Sequence, residues 1–189
     1  MGAKTDTREK ILQTAAFLFQ KNGYHATGLN EIIKVCAAPK GSLYYHFPNG
    51  KEELAVAAIN LVGDKVKRQI EENLAKSSDP VQSFQGFLTD LAALFEGEDP
   101  QTRVSLSLLA LETSPLCEPL RDACTKVYGL WGDTYCQKLI HCGFPQKKAT
   151  EISSIILLMV EGAVTISFVR NDSVMLKAIA EQIPRLIQN

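Results

Sequence analysis

The sequence predicts an all-α protein of about nine helices, with a three-helix N-terminal helix-turn-helix unit followed by a larger helical bundle. Three observations support this fold class. Apolar residues recur at the three- and four-residue spacing of helices along most of the 189-residue chain. Glycine and proline interrupt that spacing at short intervals. No run of residues alternates between apolar and polar as a half-buried strand does.

The first three predicted helices are short and closely spaced. Apolar residues recur at helical spacing over Thr7–Asn22, and Gly23 ends that helix. A second helix fits Leu29–Cys36. The third runs over Pro39–Phe47, because proline is tolerated in the first turn, where its missing N–H would have had no partner. The second and third helices are therefore predicted to be joined by a tight turn.

The rest of the chain predicts longer helices, each bounded by breaks that contain glycine or proline. We therefore divide the chain into a helix-turn-helix domain, residues 1–50, and a second helical domain, residues 51–189. The helices predicted in the second domain are Lys51–Ala75, Val81–Phe95, Thr102–Glu112, Leu120–Cys142, Gln146–Arg170 and Ser173–Ile187.

Charge is distributed unevenly along the chain. Residues 1–51 contain seven lysines and arginines against three acids, a net charge of +4, so the remainder carries −5 of the total −1. A basic segment suits a polyanion such as DNA, whereas phosphate would repel an acidic one. On charge alone, chance clustering remains the alternative.

Cysteine usage and hydropathy predict a reduced, cytoplasmic setting with no membrane segment. The five cysteines form an odd set without C-x-x-C spacing, which argues against a disulfide framework or a zinc knuckle. The first eight residues lack the apolar core of a signal peptide. The most apolar stretch, Ile155–Val169, contains Glu161 and is shorter than the roughly 20 residues needed to span a bilayer.

The third predicted helix concentrates polar and aromatic residues on barely two turns, which suits the major groove of DNA. Gly41 and Ser42 are small enough to let the backbone approach DNA closely. Leu43 and Phe47 lie one turn apart and would anchor the helix inward. An isolated Tyr-Tyr-His-Phe string more often fills a core, and its place after the tight turn reverses that preference. Donors for phosphates or base edges are Lys40, Tyr44, Tyr45 and His46.

The segments 23–27, 39–47 and 51–54 resemble the signature of the TetR family of bacterial repressors over roughly the first quarter of the chain. The resemblance implies that Lys51 clamps a phosphate at the start of the fourth helix. One more residue than usual separates Phe47 from Lys51, which could shift the register of that lysine. Lys40, Gly41 and Ser42 are best placed for base readout. The positions that the resemblance assigns to DNA contact are Thr27, Lys40, Ser42, Tyr44, Tyr45, His46 and Lys51.

Two parts of the chain are similar to the LmrA and QdoR branch of this family: the sequence motif F-P-N-G-K-E-E-L at residues 47–54 and the C-terminal half. Members of that branch respond to flavonoid or drug-like aromatic compounds. The resemblance therefore implies a repressor that leaves a palindromic operator when a small aromatic effector binds.

A homodimer is expected because one helix-turn-helix unit contacts too few bases for selective binding. The last two helices are the predicted interface, since they hold more apolar residues than one small bundle must bury. Gly162 would permit close helix approach. The alternative is that these apolar residues fill the core of each monomer. The residues in question are Ile152, Ile155, Ile156, Met159, Ala163, Ile179, Ile183 and Ile187.

Nine aromatic, apolar or acidic residues of the second domain are predicted to line an effector pocket. Trp131 is the strongest candidate, because an indole offers a planar stacking face and one N–H donor. Glu112 and Glu161 could orient a hydroxylated or cationic ligand. For each residue alone, ordinary core packing is the alternative. The predicted pocket residues are Phe87, Phe95, Leu108, Glu112, Tyr128, Trp131, Tyr135, Met159 and Phe168.

An enzyme, a metal site and a cofactor site are not expected. No nucleophile with a base, pair of carboxylates, phosphate-binding loop or metal cluster has convincing spacing. His141 and Cys142 are adjacent, but neighbouring helical residues point in different directions. The remaining alternative is a helical protein-interaction adaptor that does not bind DNA, and the basic N-terminal segment argues against it.

Overall fold

The structure is a computed structural model that describes residues 2–97, 105–113 and 117–188, with side chains from residue 7 onward. Regular structure within these ranges is entirely helical, in nine helices. The predicted fold class is therefore confirmed. The helices are α1 Gly2–Asn22, α2 Leu29–Cys36, α3 Lys40–His46, α4 Lys51–Leu74, α5 Pro80–Glu96, α6 Ser107–Thr113, α7 Glu118–His141, α8 Gln146–Arg170 and α9 Val174–Gln188.

The predicted helix boundaries differ from the observed ones by two residues at most, except at the starts of α1 and α6. Helix α1 begins at Gly2, ahead of the predicted Thr7. Pro39 does not open α3 but precedes it as the N-cap, with φ −60° and ψ 137°. Of the sixth predicted helix, residues 102–104 lie outside the described residues.

The chain folds into two compact units, which divide α4 and α7 between them. Unit 1 consists of Met1–Asp64 and Leu106–Val127. Unit 2 consists of Lys65–Ser105 and Tyr128–Asn189. The predicted boundary at residue 50 separates the helix-turn-helix domain from the second helical domain by their expected functions. It stays a prediction.

Unit 1 is organised around α1, which packs against α2, α3 and α6. Ile11, Ala15 and Phe19 are fully buried along one face of α1, at the four-residue spacing of a helix. Ile32 of α2 and Leu43 of α3 are buried against them. Each such side chain contributes about 1.5–3 kcal/mol through removal from water. This core fixes the helices that carry the polar surface of α3.

Unit 2 is a bundle in which α5 and α8 both pack against α9. Asp79 caps α5 by accepting a hydrogen bond from the Gln82 N–H at 2.7 Å. The Gln85 side-chain amide donates to the Ala180 carbonyl at 2.9 Å and ties α5 to α9. The first turn of α5 and its link to α9 are thus fixed by polar contacts.

Helix α8 has two apolar faces. Ile152, Ile156 and Val160 are buried in unit 2, whereas Leu158 and Val169 are 74% and 83% exposed. Among the described helices, α8 is long and apolar enough to cross a membrane by length and composition. Core helices of soluble proteins pass the same test, so this property is weak evidence for a membrane segment.

Candidate nucleic-acid interface

The turn between α1 and α2 is closed by glycine and by a buried threonine. Gly23 has φ +83°, a left-handed conformation that favours glycine, and its N–H donates to the Phe19 carbonyl at 2.9 Å. The Thr27 side chain is fully buried, with Oγ1 2.8 Å from the Gly23 carbonyl and 3.2 Å from the Leu18 carbonyl. The Thr27 hydroxyl therefore holds the turn together and is not offered to DNA in this conformation.

A tight turn separates α2 from α3. Ala37 adopts a left-handed conformation, with φ 53° and ψ 33°, and its N–H donates to the Ile33 carbonyl. The Ala38 N–H donates to the same carbonyl at 3.3 Å. Pro39 then returns the backbone to an extended conformation and cannot continue α2. These residues end α2 within two positions and redirect the chain into α3.

Two apolar side chains anchor α3, as the sequence predicts. Leu43 is completely buried and Phe47, immediately after the helix, is 1% exposed. The Arg8 guanidinium carbon lies 5.1 Å from the centroid of the Phe47 ring, a cation–π contact from α1. The anchor leaves the other residues of α3 available at the surface.

The predicted DNA-contact residues of α3 lie on its accessible surface. Tyr45 is 67% exposed and Tyr44 48% exposed, although both are large aromatic side chains. Lys40 is exposed, while Ser42 and His46 are half-buried. The Tyr45 and His46 rings meet edge to face, 4.9 Å between centroids. Gly41 is exposed too, and a Cβ built on it would meet no atom within 4 Å.

Lys51 lies beside the α1–α2 turn. Gly50, with φ +70°, ends the Pro48–Gly50 segment, and α4 begins at Lys51. The Lys51 Nζ lies 4.4 Å from the centroid of the Tyr24 ring and 3.5 Å from the His25 carbonyl oxygen. Burial lowers the pKa of the Lys51 ammonium, and the negative charge of Glu112 acts in the opposite direction.

Sequence reasoning missed two features of unit 1, the exposure of Val35 and the contacts of Tyr24. Val35 of α2 is 57% exposed, although an apolar residue at helical spacing is ordinarily assigned to a core. Tyr24 packs its ring against Phe19 and under the Lys51 ammonium. The pairing of Tyr24 with Lys51 depends on the fold, because 27 positions separate them in sequence.

Four predicted effector residues, Phe87, Phe95, Trp131 and Tyr135, are buried in unit 2. The Tyr135 ring lies 5.8 Å from the Phe87 ring and 5.7 Å from the ring of Phe84, which the sequence analysis did not select. Burial raises the pKa of the Tyr135 hydroxyl, and the charge of Glu161 adds to that effect.

Three further predicted effector residues of unit 2 are more exposed. Phe168 is 40% exposed, and the centroid of its ring lies 5.1 Å from the centroid of the Phe95 ring. Tyr128 is half-buried and meets the Trp131 ring edge to face at 5.5 Å. Met159 is half-buried. Unit 2 thus contains two aromatic pairs in addition to the Phe84–Phe87–Tyr135 cluster.

Two predicted effector residues belong to unit 1. Leu108 is 42% exposed on α6. The Glu112 carboxylate accepts a hydrogen bond from the Tyr24 N–H at 2.6 Å. Glu112 is therefore engaged with the α1–α2 turn, an arrangement that the sequence analysis did not foresee.

Unit 2 also has an open groove of about 480 Å³ between α4 and α7. Its described lining includes Leu74, Leu130 and Lys138, and it does not include the nine predicted effector residues. In the described part of the chain, no group of three histidine, cysteine or acidic side chains is placed to hold a metal ion.

Of the eight residues predicted at the dimer interface, five are buried within the protomer. For these five the alternative of core packing is correct, because their side chains are already removed from water. Ile155 is 43% exposed, and Met159 and Ile179 are half-buried. The five buried residues are Ile152, Ile156, Ala163, Ile183 and Ile187.

The fold and the surface of α3 define a helix-turn-helix regulator that binds DNA. Residues 11–58 match the family model of bacterial regulatory proteins of the tetR family. Residues 80–182 match the C-terminal domain of LmrA/YxaF-like transcriptional regulators. The chain belongs to the TetR family, with a C-terminal domain of the LmrA/YxaF type.

Similar proteins cover the whole chain. The HTH-type transcriptional regulator YxaF of Bacillus subtilis (strain 168) is 44% identical over 188 residues, which span 100% of this chain and 98% of YxaF. The regulator LmrA of the same strain is 42% identical over 183 residues, 97% of each chain. The crystal structure of a TetR regulator from Chloroflexus aurantiacus matches with a TM-score of 0.81 at 25% identity, covering 100% of this chain and 98% of that one.

These similarities decide between the function classes that the sequence left open. The matched families and relatives are transcriptional regulators and not enzymes, in agreement with the sequence analysis. They also exclude the alternative of a helical adaptor that does not bind DNA. Members of this family are soluble DNA-binding regulators.

Proposed function

We propose that this protein is a ligand-responsive repressor, which binds a palindromic operator as a homodimer and is released by a small apolar or aromatic effector. The observation that carries the proposal is the surface of α3, where Tyr44 and Tyr45 are exposed above the buried anchor of Leu43 and Phe47. Exposed tyrosines offer hydroxyl groups that can contact DNA phosphates.

The proposed contacts divide into base readout and phosphate binding. Lys40, Gly41 and Ser42 at the start of α3 are proposed to approach base edges, because a reading helix contacts bases mainly through its N-terminal residues. The exposed side chain of Lys40 and the open space at Gly41 support this role. Phosphate contacts are proposed for Tyr44, Tyr45, His46 and Lys51.

We propose that the protein dimerises through the exposed face of α8. Helix α9 is proposed to contribute less to the interface than the sequence analysis predicts. Leu158 and Val169 are the most exposed apolar residues of this face. Gly162 lies on it with no neighbouring atom within 4 Å of a Cβ position, which would let a partner helix approach closely. A Leu158→Glu variant should sediment as a monomer, and a dimer unchanged by that substitution would argue against this interface.

The effector is proposed to be a flavonoid or drug-like aromatic compound, the class implied by resemblance to the LmrA and QdoR branch. The aromatic side chains of Phe87, Trp131 and Tyr135 would provide stacking faces in unit 2. They are buried in this structure, so an effector would have to displace or separate them. Leu108 and Glu112 are not included in the proposed pocket, because they belong to unit 1.

Release from DNA is proposed to follow a shift in population. The effector would favour a conformation in which α4 moves and the two α3 helices no longer match successive major grooves. Coupling of this kind is typically worth about 1–3 kcal/mol, or roughly 5–150-fold in operator affinity. The effector must bind the DNA-incompetent conformation more tightly for this shift to occur. Such a regulator would act in the cytoplasm.

Fluorescence polarisation tests the proposal, with a palindromic fragment from the DNA upstream of this protein's own gene. Binding should be salt-sensitive, and one member of a flavonoid panel should weaken it by roughly 5–150-fold. Trp131 is the one tryptophan of the chain, so its fluorescence reports effector binding. Effectors that quench Trp131 without changing operator affinity would contradict the proposed coupling.

A further inference from the structure

We propose that Glu112 on α6 is a positioning residue for operator binding, which holds the α1–α2 turn and the neighbouring Lys51 ammonium in the geometry that meets DNA. The inference rests on the proposed operator binding. It concerns contacts within unit 1 alone.

The central contact is a short hydrogen bond between distant parts of the chain. The Tyr24 N–H donates to the Glu112 Oε2 at 2.6 Å, across 88 positions of sequence. Tyr24 is the second residue after α1, and the N–H of Gly23 before it already donates to the Phe19 carbonyl. A hydrogen bond to an ionised carboxylate is about twice as strong as a neutral one, and partial burial strengthens it further.

Gly23 leaves room for the Glu112 carboxylate, because it has no side chain. A Cβ on Gly23 would lie 2.5 Å and 2.6 Å from the two Glu112 carboxylate oxygens. The residue also has φ +83°, which side chains rarely adopt. Glycine therefore serves two purposes at this position, the backbone conformation of the turn and the space for Glu112.

The same carboxylate acts on the proposed phosphate clamp. The Lys51 Nζ lies over the ring of Tyr24, the residue whose N–H Glu112 binds. The charge of Glu112 opposes the effect of burial on the Lys51 ammonium. One carboxylate thus contacts the turn and stabilises the charge of the lysine beside it.

Helix α6, which carries Glu112, packs against α1 within unit 1. Leu106 and Leu109 are buried, and the buried Thr113 donates its hydroxyl hydrogen to the Leu109 carbonyl at 2.6 Å. In sequence, α6 follows the segment Lys65–Ser105, which belongs to unit 2. The hydrogen bond to Tyr24 therefore ties the DNA-binding helices to a segment that the chain reaches only after passing through unit 2.

Three variants separate the hydrogen bond from the charge. Glu112→Gln keeps an acceptor oxygen and removes the charge, so it should weaken binding of the operator fragment, but by less than Glu112→Ala does. Glu112→Ala removes both and should weaken binding by about tenfold or more, the usual effect of losing a hydrogen bond to a charged group. Glu118→Ala removes an exposed acid of the same unit and should leave binding unchanged. If Glu112→Ala binds as tightly as wild type, or more tightly because a repulsive charge is gone, the inference is wrong.

Amide hydrogen exchange tests the contact in the absence of DNA. The Tyr24 amide should exchange slowly in wild type and Glu112→Gln, and at least tenfold faster in Glu112→Ala. Since this readout needs no operator, it distinguishes a failure of the hydrogen bond from a failure of the proposed DNA binding. Equal exchange rates in wild type and Glu112→Ala would overturn the inference.

A double-mutant cycle tests whether Glu112 acts through Gly23. Gly23→Ala should weaken operator binding more in wild type than in the Glu112→Ala background, where the clash between Cβ and carboxylate is absent. A difference of at least fivefold between the two backgrounds is expected. Equal effects of Gly23→Ala in both would mean that Glu112 does not act through this turn. Circular dichroism melts identify any variant that is unfolded.

Discussion

Aromatic side chains are exposed on α3 of unit 1, whereas those of the Phe84–Phe87–Tyr135 cluster are buried in unit 2. Tyr44 and Tyr45 are on the protein surface, whereas Phe84 and Tyr135 are almost completely buried and in ring contact with each other. The residue types are the same, and their surroundings differ. Aromatic residues in this chain therefore indicate a binding surface only where a neighbouring anchor, such as Leu43 with Phe47, already satisfies the core.

The two helices differ in length and in how many of their side chains are buried. Helix α3 has seven residues and, within its limits, buries one side chain, that of Leu43. Helix α5, with seventeen residues, buries several side chains along one face. The short helix leaves most of its side chains at the surface, and the long helix buries its aromatic residues against its neighbours.

The largest effect is expected from truncating the aromatic cluster of unit 2. Tyr135→Ala should lower the free energy of unfolding by about 3–5 kcal/mol, because it leaves a cavity beside Phe84 and Phe87. Chemical denaturation measures this change. Tyr135→Phe is the control for the hydroxyl group. A loss below about 1 kcal/mol would show that the cluster is loosely packed and would break the contrast with α3.

An intermediate effect is expected from the exposed aromatics of α3. Tyr45→Ala should weaken operator binding by roughly 10–100-fold, since a hydrogen bond to a charged group is worth about 1.5–3 kcal/mol. Its free energy of unfolding should change by no more than about 0.5 kcal/mol, because the side chain is largely exposed. Tyr45→Phe separates the hydroxyl from the ring. A strongly destabilised Tyr45→Ala protein would mean that α3 depends on this side chain for folding.

A smaller effect is expected from a single cation of α3. Lys40→Gln should reduce the slope of log affinity against log salt concentration by about 1, if Lys40 neutralises one phosphate. Lys147→Gln, at an exposed position of α8 in unit 2, is the matched control and should leave the slope unchanged. A slope unchanged in Lys40→Gln would indicate that Lys40 contacts no phosphate, and equal changes in both variants would remove the distinction between the units.

The last effect is confined to alkaline pH and concerns Cys124, buried in the part of α7 that belongs to unit 1. Burial raises the pKa of its thiol to about 11. The folded protein then retains a proton that the unfolded chain loses above about pH 8.5, so the free energy of unfolding should fall between about pH 8.5 and 11. In Cys124→Ala the decline should be shallower. Identical pH profiles would contradict the burial of this thiol.

Most of the fold could be predicted from the sequence, because glycine, proline and helical spacing mark the ends of helices locally. The limits of α2 and α8 agree at both ends with the prediction. The anchor of α3 was also predictable, since Leu43 and Phe47 lie one turn apart. Periodicity requires only neighbouring residues, and that is why it succeeds here.

Contacts between distant segments could not be predicted in this way. Glu112 was assigned to an effector pocket because it lies among apolar residues in sequence, yet it contacts Tyr24, 88 positions away. Thr27 was assigned to DNA, yet its side chain is buried against backbone carbonyls. Both residues are polar groups with long-range or buried partners, and helical spacing carries no information about such partners.

We propose that the exposed surface of α3 binds DNA while its buried face only anchors the helix. The most direct test compares wild type with the triple variant Lys40→Ala, Tyr44→Ala, Tyr45→Ala in fluorescence polarisation against the upstream palindromic fragment. The account predicts salt-sensitive binding by wild type and a loss of at least 100-fold in the triple variant, with an unchanged melting profile. Wild-type affinity in a folded triple variant would contradict the account.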